Sequence, residues 1–451
     1  MMFFKMNKFQ LGSILSALLW FLASPGIADP AQHVYNLDQV MEQALANNPE
    51  LAIMQQRIEQ ADAQLGLALA GFYPQIKTSL SYQYSNNPAQ AFSMLIAERR
   101  LNFGGTNFNN PGFIEDYRPQ VSATYALFRG GQDYYQKQAA ELGMEATELE
   151  RSATRNRLLN NVTAAYYGEL AAIAAHNITQ RSIETVESEL QQSQLRYDAG
   201  SLLKSEVLSL QVQLADAKES DIQTANAIEM AQNMLKTLLG LSVNEPFAID
   251  QAQAVPLPEP AGKFDSLLDK ALSSHPELKA AEKRVEIAEK QLAIAQAAFL
   301  PRADAYVNYG SDSKNLTYSS NRDNVTTGVI VELDLFNGFA TREKLKKTES
   351  ELHAAKEIAR QTRLQVENQL KTAQLKLQEA LNRAEVSAMA VQAAEEAFRL
   401  VNEQRQAGVV TVTRYLEAEV ARDKAHTRQI SSRYDALRAD AELKQAIGFW
   451  Q

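Results

Sequence analysis

Residue types that do acid–base, nucleophilic or metal chemistry are present in this chain, but not in working arrangements. The five histidines (His33, His176, His275, His353 and His426) are scattered along 451 residues. A zinc site would want them a few positions apart or beside cysteine. There is no cysteine, which excludes disulfides, thiolate ligands, thiol nucleophiles and an acylated N-terminal cysteine. Neither G-x-x-x-x-G-K-[ST] nor H-E-x-x-H occurs. Acid–base neighbours such as Glu282/Lys283 and Glu289/Lys290 read as solvated helix faces, and His176 as a packing residue. A net charge of −9 argues against nucleic acid as a partner. The expectation is a protein that is not an enzyme and uses no metal or cofactor.

The elements that hold these residues are more informative. Residues 120–245 and 302–451 contain none of the 13 prolines. Proline breaks helix interiors, so such stretches permit very long helices. Gly200 and Gly408 each sit where a helix could turn back, which predicts two long helical hairpins. The longer arm of the first, about residues 131–198, would reach on the order of 100 Å. Residues 1–28 read as a secretory signal: Lys5 and Lys8, an apolar run from Leu11 to Leu22, then Gly26-Ile27-Ala28. An uncleaved anchor is the alternative, but that run is shorter than the ~20 residues a span needs. No later apolar run is long enough, so entry into a membrane requires a closed β-barrel.

The chain repeats itself. Asn48-Pro49-Glu50-Leu51 recurs as His275-Pro276-Glu277-Leu278, and Arg57 pairs with Arg284 at the same interval of 227. Leu127-Phe128-Arg129-Gly130 recurs as Leu335-Phe336-Asn337-Gly338 at an interval of 208, which Gly200 and Gly408 keep. This is a duplicated domain rather than a short-period solenoid. The two copies are expected over 29–240 and 263–451, joined by a proline-rich linker, 241–262. Each reads helix, strand, loop, strand, long helix, turn, helix, with the first helix running unbroken from Leu37 to Tyr73.

Strands are expected at 74–86, 118–128, 302–310 and 325–336. In the first, Ile76, Thr78, Leu80, Tyr82 and Tyr84 share one face. Such alternation fits a membrane barrel, and equally a soluble four-stranded sheet packed on a helix. Four strands cannot close a barrel, whereas three protomers would supply about twelve. Val366, Leu370, Ala373, Leu377, Ala380, Ala384, Ser387, Val391, Ala394, Phe398 and Val401 form a heptad-like stripe. The first copy is less clean, because Glu169, His176 and Thr179 interrupt it. A two-stranded coiled coil and a wall of side-by-side helices both fit.

At this point the chain resembles the TolC-like outer-membrane efflux family. The repeated N-P-E-L and H-P-E-L steps, Phe72-Tyr73-Pro74 and Phe299-Leu300-Pro301, the Leu-Phe-x-Gly junctions and the glycine-tipped hairpins carry the resemblance. It implies a mostly α fold with a small β part. In a homotrimer, the hairpins form an α-barrel continued by a twelve-stranded β-barrel in the outer membrane of a Gram-negative bacterium. It also implies a passive exit duct for efflux or type I secretion, docked to a periplasmic adaptor and an inner-membrane pump. A coiled-coil periplasmic adaptor or a cell-envelope structural protein is the alternative.

The resemblance also assigns sites. Gly200, Ser201, Leu202, Leu203, Gly408, Val409 and Val410 match the adaptor-docking tips, the four apolar ones being expected to be exposed. Ala199 and Ala407 stand where the family commonly has valine. Glu206, Arg414 and Glu417 match the periplasmic gate, with Arg414 where some members carry an acid; Arg196 and Arg405 are candidates for gate-locking hydrogen bonds. A threefold carboxylate ring would favour cations.

Overall fold

The structure is a computed structural model and describes residues 34–251 and 255–450. The expected signal segment lies outside the described residues. Two helices dominate, α4 (Gln132–Asp198) and α8 (Ala340–Gln406), each 67 residues long and therefore ~100 Å. Each turns back into a 35-residue helix, α5 (Lys204–Leu238) or α9 (Val412–Ala446). The interval of 208 residues holds at both helix starts.

The helix expected from Leu37 to Tyr73 is instead two, α1 (Leu37–Asn47) and α2 (Pro49–Leu69). Asn48 adopts an extended conformation and caps α2 with its side chain, and Pro49 takes the first helical position, where its missing amide costs nothing. The second copy breaks likewise at His275, between α6 (Phe264–Ser274) and α7 (Pro276–Ala297). Asn48 also donates its side-chain amide to the Leu238 carbonyl at 2.8 Å, tying the start of α2 to the end of α5. Next to it, Gly240 holds φ +70° with the Asn47 carbonyl 2.5 Å from where a Cβ would stand.

Four antiparallel strands form one sheet in the order β2 (Gln75–Ser85), β3 (Ile114–Phe128), β5 (Arg302–Ser311), β6 (Asp323–Glu332). The apolar faces stay in register across all four. Ile76 lies opposite Ala123, which lies opposite Val307, which lies opposite Thr327. That face is exposed: Ile76, Leu80, Val121, Val325 and Val329 are all open. Both edges, β2 and β6, lack a partner strand within the described residues. All helices leave one end of the sheet. From the other end come the β5–β6 loop and a longer insertion carrying α3 (Pro88–Ala97). There Arg118 sits between Asp116 and Asp312, and Asn324 donates to Asp312 at 2.9 Å.

Two strand boundaries differ from expectation. β3 begins at Ile114 rather than 118, because Ser85 to Tyr82 supply partners for Ile114 to Tyr117. Pro119 fits because the β5 ladder has a gap between Gln120↔Gly310 and the isolated Tyr117↔Ser313 bridge. β6 ends at Glu332 rather than 336, because its last partner, Arg302, is the first residue of β5. Eleven residues of β2 span roughly 34 Å along the strand, or about 26 Å at a barrel tilt of ~40°. That matches the apolar band of an outer-membrane barrel.

Two further elements make a knot around the middle of the long helices. β1 (Val34–Tyr35) pairs in parallel with β4 (Ala248–Ile249). Val40, Ala44, Phe247 and Ile249 pack with Leu158, Val162, Tyr166 and Leu235. On the other hairpin Leu370, Ala373 and Leu377 pack against Ala436 and Leu443.

Candidate functional site at the hairpin tips

Both reversals are built alike. Gly200 and Gly408 have φ +70° and +75°, and no atom stands within 4 Å of a Cβ built on either. The requirement is therefore the left-handed backbone rather than space. Ser201 closes the first turn, donating its amide to the Arg196 carbonyl at 2.9 Å and its hydroxyl to the same oxygen at 2.8 Å. Val409 donates to the Gln404 carbonyl at 2.9 Å in the second, and Thr411 caps α9.

Of the four apolar tip residues, only Leu203 (70% exposed) and Val409 (74%) stand free. Leu202 and Val410 are half-buried, and Val410 packs against Val401, Tyr415 and Ala418. The two hairpins thus present one free apolar side chain each, not two.

The gate candidates are not all brought together. Glu206 turns its carboxylate to the start of α9, accepting from the Val412 amide at 3.4 Å. That is where a helix dipole favours negative charge. Arg414 and Glu417 are exposed and pair with each other at 3.1 Å, one turn apart. Arg196 is half-buried, and among the described residues its side chain makes no ion pair. Arg405 is 5% exposed. Its Nε donates to Glu189 Oε1 at 3.0 Å and its Nη2 to Ser193 Oγ at 3.2 Å, while Ser193 donates to Glu189 at 3.1 Å. This closed triangle ties the second hairpin to the first.

The sequence reading passed over Glu189 and Ser193, and also Glu419 one turn beyond the tip. Glu419 is fully buried, and neither carboxylate oxygen has a hydrogen-bond partner. Arg422 approaches it at 4.0 Å while lying over the Phe398 ring at 4.1 Å. Burial, with Asp423 adding to it, pushes the Glu419 carboxyl up to about 7. Burial likewise raises the Tyr415 hydroxyl. Higher on α4, His176 meets Thr224 at 3.1 Å and Asp221 at 3.2 Å, linking α4 to α5 through polar atoms rather than apolar packing. Lys283 reaches across to Glu145 at 2.9 Å, so its face of α7 packs on α4 instead of facing water alone.

Comparison with known proteins places this geometry. A profile of the family described as "Outer membrane efflux protein" matches residues 40–241 and 267–449. The pyoverdine export outer membrane protein OpmQ of Pseudomonas putida is 24% identical over 420 residues, 92% of this chain and 86% of that protein. The outer membrane protein TolC of Vibrio cholerae is 21% identical over 436 residues, 95% and 94% of the two chains. The crystal structure of the Campylobacter jejuni CmeC outer membrane channel superimposes with a TM-score of 0.81 at 18% identity, covering 91% of this chain and 85% of that one. These are channel components, not enzymes, which sets aside the adaptor and structural-protein alternatives. With both halves matched, the chain belongs to the outer membrane efflux protein family and is an outer-membrane exit duct.

Proposed function

We propose that three copies of this chain close one wall, a barrel of about twelve strands in the membrane continued by a tube of helices into the periplasm. The observation that carries this is the sheet itself. Its four strands present an unbroken apolar face and two unpartnered edges, and unpaired edges cannot face hydrocarbon. Neighbouring copies satisfy both edges at once. The tips, Gly200 to Leu203 and Gly408 to Val410, dock onto a periplasmic adaptor that couples the duct to an inner-membrane pump. Leu203 and Val409 are the apolar contacts on offer. Within each copy the Arg405–Glu189–Ser193 triangle holds the hairpins together and keeps the tip end narrow, with Glu206 fixing α5 to α9. The Arg414–Glu417 pair leaves the mouth less acidic than a carboxylate ring.

The test is assembly and current. Detergent-extracted protein should run as a trimer that heating converts to the 50.1 kDa chain, and the trimer should conduct ions in planar bilayers. Recovery as a soluble periplasmic monomer would defeat the reading.

A further inference from the structure

Arg57 and Arg284 hold matching places in the two copies, and neither the tips nor the membrane wall uses them. They meet in one depression. Arg57 of α2, Glu150 and Arg157 of α4, and Glu277 and Arg284 of α7 line a cavity of about 340 Å³, closed on its far side by Gln365 of α8. Its charges do not cancel. Arg284 takes Glu150 as its ion-pair partner. Glu277 lies in the first turn of α7, where the helix dipole already favours it. Arg57 reaches only the Met54 sulfur, at 3.7 Å, a weak acceptor. Among the described residues neither Arg57 nor Arg157 has a carboxylate at ion-pair distance.

The cavity lies on a definite side of the helical layer. Leu158 and Val162 of α4 point into the knot made by α1 and β4. Glu150, Thr154 and Arg157 point roughly a third of a turn away, given 3.6 residues per turn. One side of the layer therefore carries the knot, and the arginines are on the bare side. In a tube the knot must be outside, since inside it would fill the bore. The inference rests on the channel reading in this respect: the bare side is the inner wall. Because Arg57 and Arg284 are duplicates, each copy adds the same pair at one level of the tube, together with Arg157.

We propose that this arginine pocket is an oxyanion-binding step on the duct's inner wall, taking small solutes that carry carboxylate or phosphate groups. Guanidinium forks match both groups bidentately, and here two of the three arginines have donors to spare.

Citrate and inorganic phosphate are the probes, added to the reconstituted full-length trimer in planar bilayers at ~0.1 M KCl, where the screening length is about 10 Å. Millimolar citrate should reduce the single-channel current. Arg57→Gln combined with Arg157→Gln should weaken that block about tenfold, and the lysine double variant should weaken it less. Phosphate blocking as well as citrate assigns the site to oxyanions in general; citrate alone narrows it to carboxylates. Should the double glutamine variant fail to assemble, the single variants, each expected to weaken block about threefold, decide the matter. A conducting channel that citrate and phosphate do not block, or block equally in the variants, overturns this inference and leaves the duct intact. A trimer that passes no current in plain KCl overturns both.

Discussion

The two hairpins share an outline and differ inside. Their arms have equal lengths and their tip glycines nearly equal φ. Yet Leu377, fully buried in the second, stands where the first has Glu169, buried to 2%. Val401 stands where the first has Ser193, and Arg405 where it has Tyr197. The second hairpin packs through a leucine–alanine stripe. The first is laced by polar contacts: Glu169 beside Lys236, and His176 with Thr224 and Asp221. Helix lengths and turns fix where a tube starts and ends, so both copies keep them. Side chains between need only fill the space and satisfy their neighbours, so they can diverge. The Arg405 triangle follows from that divergence: acceptors lie on one copy and the donor on the other.

The largest expected effect comes from breaking that asymmetry. Arg405→Ala strands the Glu189 carboxylate, whose side chain is 12% exposed, and should cost about 3–5 kcal/mol. Tyr197→Ala, at the matching place in the first copy, should cost under ~0.5 kcal/mol. Denaturant midpoints would show it, and equal losses would mean the triangle is incidental.

Next comes the buried acid of the first hairpin. Burial raises the Glu169 carboxyl to about 7, against the opposing pull of Lys236. The unfolded chain releases this proton near pH 4.5, so stability falls as pH rises from there to about 7 and stays reduced above. Glu169→Gln should therefore stabilise the protein by up to about 3 kcal/mol at pH 8 and by almost nothing at pH 4. Thermal melts at both values decide this; a pH-independent difference would mean that Glu169 titrates normally.

The smallest effect sharpens the likeness. Gly200→Ala and Gly408→Ala should each cost ~1 kcal/mol through backbone strain alone, because nothing crowds either site. A marked inequality between them in unfolding measurements would show that one tip is held by contacts the other lacks.

Much of this outline is legible in the residues, because proline-free runs, alternation and tip glycines are local signals. The strand faces came out in register for the same reason. Strand ends did not, since Ile114 joins β3 only because Ser85 lies opposite, and β6 stops where Arg302 runs out of chain. Asn48 stood out as part of a repeated motif, but its reach to Leu238 is a tertiary fact with no periodic trace. Arg405 was noticeable beside its glycine. Its partners Glu189 and Ser193 lie more than 200 residues away and carry no mark that sets them apart from other polar residues on α4.

The unpartnered edges of β2 and β6 have a genetic corollary. When each pore draws its subunits at random from a pool, one copy with a spoiled edge ruins the pore for the other two. A cell making sound and faulty chains in equal amounts would retain only about one working duct in eight. Edge-strand alleles should therefore be dominant, while core alleles that merely remove their own product should be recessive.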